Sequence, residues 1–315
     1  VGKRVAVFGA SGRIGQAQVR QLLKEGHETV AVTRNARILQ RAEFADAKIM
    51  HGDLADPVSL RPILERVDCV FIQLPSFAAP SDKVDYANNL IEAGEKAALE
   101  SVILNTTMWS PDEPPCGEPH YDHGRLIEEL FLRSPLPVTI VRPVLFMDNL
   151  ISNLIKPAIV EDGIYRYVQR PGLQANPISL DDVARYMIAL LDRRDLVGER
   201  ILLGGPERLS VEEVVQIVSE AIGKPLGFEY LPGKEYGEYF FKKNYPAFGE
   251  DPAPMAAFFD SFYSFNNYSP VKPLEVDVDR LNKLIPLKAS TLREWVAEQD
   301  WTSSPARDEV GSPAG

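Results

Sequence analysis

Arg4-Val5-Ala6-Val7-Phe8-Gly9-Ala10-Ser11-Gly12-Arg13-Ile14-Gly15 runs from an apolar strand through a glycine turn into a segment that reads as helix from about Ile14 to Lys24. A strand, a tight turn and a helix N-terminus in that order make a phosphate-binding device. The first glycine permits the turn, the second lets backbone approach a pyrophosphate, and the third lets helix and sheet pack closely. N–H groups left unpaired at the helix start face the anion. The reading is dinucleotide binding; the competing one is an ordinary βα turn that happens to be glycine-rich.

Outward from this stretch, short apolar runs alternate with amphipathic segments, the pattern of a parallel sheet with helices on both faces. Strands are expected over Thr29 to Val32, Ala47 to Met50, Cys69 to Leu74, Val102 to Asn105 and Val138 to Val141. Helices fit between them, one opened by Asp56-Pro57, one over Lys83 to Ala97 and one over Tyr121 to Arg133. The right-handed crossover rule puts all the strand carboxyl ends, and the ligand, along one edge. After about Pro143 the alternation breaks down. Helices are expected over Leu180 to Leu191, Ser210 to Ile222, the latter with a Ser210/Glu213 capping box, and Leu292 to Gln299, with a strand over Gly227 to Leu231. The expected fold is α/β, a Rossmann doubly wound parallel sheet over residues 1–143. A smaller α/β lobe over 144–302 is partly interleaved with it, and a Ser/Pro/Ala/Gly-rich tail over 303–315 is expected to be disordered.

Bulk properties exclude several classes. A net charge of −11 without any basic run argues against nucleic acid. Two cysteines, Cys69 in an apolar strand and Cys116 in a proline-rich loop, make no disulfide framework and read as reduced thiols of a cytoplasmic protein. No apolar stretch reaches membrane-spanning length, and the fold beginning by about Lys3 leaves no room for a signal peptide in the sequence as it stands. The four histidines, His27, His51, His120 and His123, show no metal-ligand spacing. Ser11 and Ser110 lack a nucleophile elbow.

The end of the second strand selects the dinucleotide: an acid there suits the ribose 2′-hydroxyl of NAD, an arginine the 2′-phosphate of NADP. The chain reads Val32-Thr33-Arg34-Asn35-Ala36-Arg37. Arg34 can lay a planar guanidinium on a phosphate, with Arg13 and Arg37 as further cations, so NADP(H) is the expected cofactor. Asp53, after the third strand, could meet the adenine amino group or cap the Asp56-Pro57 turn.

The glycine turn, Thr33-Arg34-Asn35, Gly52-Asp53, His120-Tyr121-Asp122-His123 leading to Glu128, Val141-Arg142-Pro143 and Phe146-Met147-Asp148-Asn149-Leu150 together resemble the NmrA-like family of atypical short-chain dehydrogenases/reductases. Pro177-Ile178-Ser179 followed by Asp181-Asp182-Val183-Ala184 adds to the likeness, which covers most of the chain. The resemblance implies a Rossmann domain with a small C-terminal lobe. It also implies either an NADPH-dependent reductase or a cofactor-sensing regulator working through a protein partner. The cofactor contacts it implies fall on Gly9, Ser11, Gly12, Arg13, Ile14, Gly15, Arg34, Asp53, Leu54, Gln73, Leu74, Pro75, Thr106, Phe146 and Asn149.

One departure stands out against that pattern. Such family members keep a lysine four residues before the glutamate matching Glu128, and here that position is Gly124. Arg125, four residues after Tyr121, gives a Tyr-x-x-x-Arg variant in another register, and His120 and His123 flank the tyrosine. Tyr121, helped by His123 or Arg125, is the candidate proton donor; a proton from water, or a polar helix start with no chemistry, are the alternatives. Trp109, Tyr121, Phe146 and the run Phe258 to Phe265 could line a pocket for a hydrophobic or aromatic small molecule. Phe258, Phe262 and Phe265 fall on one helix face, which equally suits core packing. A homo-oligomer is compatible with all of this.

Overall fold

The computed structural model describes residues 2–244 and 249–302, so the expected tail over 303–315 lies outside the described residues. The first half supplies strands β1 (Arg4–Phe8), β2 (Glu28–Thr33), β3 (Lys48–His51), β4 (Cys69–Ile72), β5 (Ser101–Asn105) and β6 (Val138–Pro143). Between them run helices α1 (Arg13–Lys24), α2 (Pro57–Leu64), α3 (Pro80–Gly94) and α4 (Pro119–Arg133). Asp56 caps α2 by accepting the Val58 N–H at 3.0 Å, and Pro57 sits in the first turn, where no N–H donor is needed. Helix α3 starts at Pro80 rather than Lys83 for the same reason.

The second half carries β7 (Ile164–Tyr167), β8 (Gln174–Ala175), β9 (Arg200–Leu203), β10 (Leu209–Ser210) and β11 (Gly227–Tyr230). Its helices are α5 (Leu180–Ala189), α6 (Val211–Ile222), α7 (Gly233–Asn244), α8 (Ala253–Tyr268), α9 (Val278–Leu284) and α10 (Leu292–Ala297). The Ser210/Glu213 capping box forms as expected.

Seven parallel strands make the main sheet in the order β3-β2-β1-β4-β5-β6-β9. Alternate residues of each strand feed opposite faces. Val5, Val7, Phe71, Ile103 and Val141 pack with Val183 and Met187 of α5, while Ala6, Phe8, Val70, Val102 and Ile140 pack with Leu60, Leu90 and Phe131 of α2, α3 and α4. This is the doubly wound arrangement. Strand β9 comes from the second half and pairs with β6 as the sheet's last strand, so the lobe and the sheet are interleaved. The lobe has a core of its own, in which Tyr165, Tyr167, Tyr236 and Phe259 meet Leu292 and Trp295. Among the described residues no helix is long and apolar enough to cross a membrane.

The strand order reverses between β1 and β4, and in open α/β sheets the crevice outside the strand carboxyl ends at such a point is where ligands bind. Everything in the candidate site lies along that edge.

Candidate active site

At the switch point the chain leaves β1 through Gly9, whose φ of +72° an L side chain rarely adopts. A Cβ on Gly15 would meet the Gly9 carbonyl oxygen at 2.2 Å, so α1 presses directly on the turn. On Gly12 the nearest atom to a Cβ would be the same oxygen at 3.4 Å, leaving open space above the turn. One glycine bends, one leaves a cradle and one packs, which is the set of roles a pyrophosphate site needs. Ser11 and Ile14 are half-buried beside it, and Gln73 sits over Gly9, its amide 3.5 Å from the Gly9 carbonyl. Strand β4 therefore ends two residues short of the expected Leu74: Gln73, Leu74 and Pro75 form a half-buried loop over the crevice.

Two ties hold this end in shape. The Thr33 hydroxyl donates to Ser11 Oγ at 2.9 Å and accepts the Asn35 N–H at 2.9 Å, coupling the glycine turn to the end of β2. Arg13 reaches across the crevice and donates to the Asp148 carbonyl, joining the turn to the Phe146-to-Asn149 segment of the lobe. Arg34 and Arg37 are exposed just beyond β2, with Asn35 capping the short helical turn that follows by accepting the Arg37 N–H at 3.2 Å. Asp53 uses one carboxylate oxygen on the Ala55 N–H at 3.0 Å, so it organises the loop after β3, and the Leu54 carbonyl accepts from Asn89 at 2.8 Å.

The opposite end of the crevice is built around the start of α4. Glu118, 2% exposed, caps the helix by accepting the His120 and Tyr121 N–H groups at 2.8 and 3.0 Å, and takes the Ser261 hydroxyl of α8 at 3.2 Å. Burial holds its carboxyl above the ordinary range. Asp122 accepts the Cys116 and Gly117 N–H groups at 2.7 and 3.1 Å, clamping the proline-rich loop to the same turn.

Tyr121, His123 and Arg125 turn to three different neighbours. Tyr121 is 1% exposed, donates its hydroxyl to Asn266 Oδ1 at 2.6 Å and lies among Trp109, Phe262 and Phe265; burial pushes its phenol well up. Arg125 points to the Glu129 carboxylate at 2.7 Å, with Glu128 at 3.6 Å. His123 hydrogen-bonds the backbone of Pro80 in the first turn of α3, and its Nε2 is buried with no partner. Burial holds both His120 and His123 below the ordinary histidine value, His120 at about 4. Phe258, Phe262 and Phe265 stay on one face of α8, and that face seats on the His120–Tyr121 turn: Phe258 packs at a tilt against His120, ring centroids 4.1 Å apart. Phe77, from the loop after β4, completes the wall at 6.3 Å from Phe258 and 5.9 Å from Phe240.

A sequence model of the NmrA-like family matches residues 2–296. The chain belongs to the NmrA-like family. Among curated relatives of this NmrA-like protein, the photosystem II assembly factor Ycf39 of Synechocystis is 23% identical over 73% of this chain and 71% of that one. An NAD(P)H azoreductase of Xenophilus azovorans is 27% identical over 71% of this chain and 76% of its own. Two solved structures share the fold. A triphenylmethane reductase of Citrobacter complexed with NADP(H) superposes with a TM-score of 0.72 at 21% identity, over 93% of this chain and 98% of that one. NmrA, a negative transcriptional regulator in complex with NAD, gives 0.73 at 16% identity, over 96% and 99%.

The strained turn after β5 carries no mark in the sequence. Thr107 has a φ of +61°, held by its N–H on Asn105 Oδ1 at 2.9 Å and its hydroxyl on the Thr106 carbonyl at 2.6 Å, while Asn105 Nδ2 is buried without a partner. A β-branched residue in the left-handed region at the carboxyl end of β5 is stored strain at the ligand edge. Thr106 turns its own hydroxyl to the Met108 carbonyl at 2.9 Å. Phe146 pairs with Ile178 in an isolated parallel bridge outside the sheets, and Asn149 hydrogen-bonds the buried Tyr167 hydroxyl. A Cβ on Gly124 would meet only Met108 Sδ at 3.8 Å, so nothing in the packing requires glycine there.

Proposed function

We propose that the protein is an NADP(H)-dependent reductase that delivers hydride to a carbonyl or conjugated acceptor on a hydrophobic or aromatic small molecule. Residues 1–143 hold most of the cofactor, and residues 144–302 complete its nicotinamide end and help to cover the substrate. Gly9, Ser11, Gly12, Ile14 and Gly15 cradle the pyrophosphate, while Arg34 and Arg37 face the 2′-phosphate end; Arg13, expected as a further cation there, is instead engaged on the Asp148 carbonyl. Asp53 and Leu54 border the adenine; Gln73, Leu74, Pro75, Thr106, Phe146 and Asn149 border the nicotinamide half. The bound cofactor supplies the hydride. The chain supplies orientation, an aromatic wall and a proton from the α4 turn, with Tyr121 as donor, helped by His123 or Arg125.

The observation that carries this reading is the wall of Phe77, His120 and Phe258 standing at the same sheet edge as the open cradle over Gly12. Relatives whose names are reductases agree with it. The test follows reduced-cofactor absorbance against quinones, enones, aryl ketones, imines and azo dyes. Oxidation of NADPH with at least one acceptor is expected, slowed by Tyr121→Phe in single turnover. A second reading, a non-catalytic NADP(H)-responsive protein acting through a protein partner, is favoured by Gly124, which removes a cation from the α4 face. Tight NADPH binding with no acceptor reduced would select it.

A further inference from the structure

Lys83 lies in the first turn of α3 and folds back over the crevice loop, donating from Nζ to the Ser76 carbonyl at 2.8 Å. Among the described residues it forms no ion pair, in a chain with 45 acidic side chains. The carboxylates around it are spent elsewhere or face water. Glu118 caps α4, Asp122 holds the 116–117 amides, Asp82 is exposed beside Ser81 and Asp260 of α8 is exposed. The groups its charge reaches are bases, His120 and His123. His123 donates to the backbone carbonyl of Pro80 in the same turn of α3, and His120 packs at a tilt against Phe258, which Phe77 meets from the Ser76 loop. A partly buried ammonium, two neutral imidazoles and two phenyl rings thus meet around the start of α3 and α4, with no carboxylate paired to the ammonium.

We infer that Lys83 is the cation that receives the acceptor's oxygen as it becomes anionic, so that the substrates are neutral or anionic carbonyl compounds and quinones rather than cationic dyes. This rests on the reductase reading and narrows it. When hydride adds to carbon, the C=O or conjugated electron pair moves to oxygen, and the reduced nicotinamide that gave the hydride is left oxidised. The Lys83 ammonium compensates the oxyanion, and the one proton it then takes up comes from the α4 turn, as in the reductase reading. Position 124 offers no competing cation.

The test compares wild type with Lys83→Met and Lys83→Arg on a neutral naphthoquinone and a cationic triarylmethane dye. Lys83→Met is expected to lower the quinone-to-dye ratio of kcat/KM by about 100-fold, the size of effect of one oxyanion donor, with Lys83→Arg recovering part of it. An unchanged ratio overturns the inference. A second readout needs no turnover: 4-nitrophenol titrated by its phenolate band with NADP+ present. Wild type should lower its apparent pKa by about one unit or more, and Lys83→Met should abolish the shift. If wild type reduces nothing yet shows the Lys83-dependent shift, the reductase reading fails and the anion site stands; if the shift survives in a folded Lys83→Met, the anion site fails.

Discussion

Arg142 grips Glu128 at two points, Nε to Oε1 at 2.8 Å and Nη2 to Oε2 at 2.5 Å, with the arginine 3% exposed and the glutamate fully sealed. Ser110 adds a hydroxyl to Oε1 at 2.7 Å, and Arg200 approaches Oε2 at 3.2 Å. The carboxylate that follows the α4 turn is therefore the hub that ties α4 to β6 and β9. A buried carboxylate deprived of its main partner is expensive. Arg142→Met should destabilise the fold by about 3 kcal/mol in chemical denaturation, and Arg142→Lys, a point charge in place of a fork, should recover less than half. The double variant Glu128→Met/Arg142→Met should be more stable than either single one.

Arg34 and Arg37 stand exposed where β2 ends, in a region otherwise shaped by Thr33 and Asn35. Arg34→Ala should weaken NADPH by about 2 kcal/mol, on the order of 30-fold in Kd, and leave NADH nearly unchanged in a fluorescence titration. Loss of both cofactors to the same degree would mean that Arg34 shapes the loop instead of meeting a phosphate.

The Rossmann sheet was legible because its signals are local. The glycine turn, the Asp56 cap and the Ser210 box each sit within a few residues and each forms in the structure. The seventh strand was not legible: Arg200–Leu203 is four residues long and becomes a strand only by pairing with β6. The settings of the side chains at the start of α4 were not legible. Tyr121, His123 and Arg125 share a turn in sequence, yet helical geometry sends them to α8, α3 and the Glu129 side respectively, and Asn266, 145 residues from Tyr121, carries no mark of its role. Lys83 is silent for the same reason, since its setting comes from three elements meeting in space.

Gly124 lies inside α4, where a glycine is worth roughly 0.5–1 kcal/mol less than alanine. Because a Cβ there meets nothing closer than Met108 Sδ at 3.8 Å, Gly124→Ala should raise stability by about that amount. Thermal unfolding checks it; a fall in Tm would show that the open space is a water or ligand site. Gly124→Lys should fold as well and tighten NADPH binding if the open space faces the cofactor.

His120 gives the fold an acid-sensitive contact between α4 and α8. Its pKa falls from 6.5 to about 4, first because burial against Phe258 strips its hydration and then because Lys83 and His123 oppose a further charge. The unfolded chain thus binds a proton that the folded chain refuses between those two values. Stability from this group is fully present above about pH 6.5, is lost as pH falls towards 4, and changes no further below that. The full difference is at most about 3 kcal/mol, and about 2 kcal/mol once residual exposure is allowed for. His120→Phe keeps a ring on Phe258 and removes the titration. In urea unfolding from pH 7 to 4 the wild type should therefore lose about 2 kcal/mol more than the variant, and parallel curves would assign the acid sensitivity to other groups.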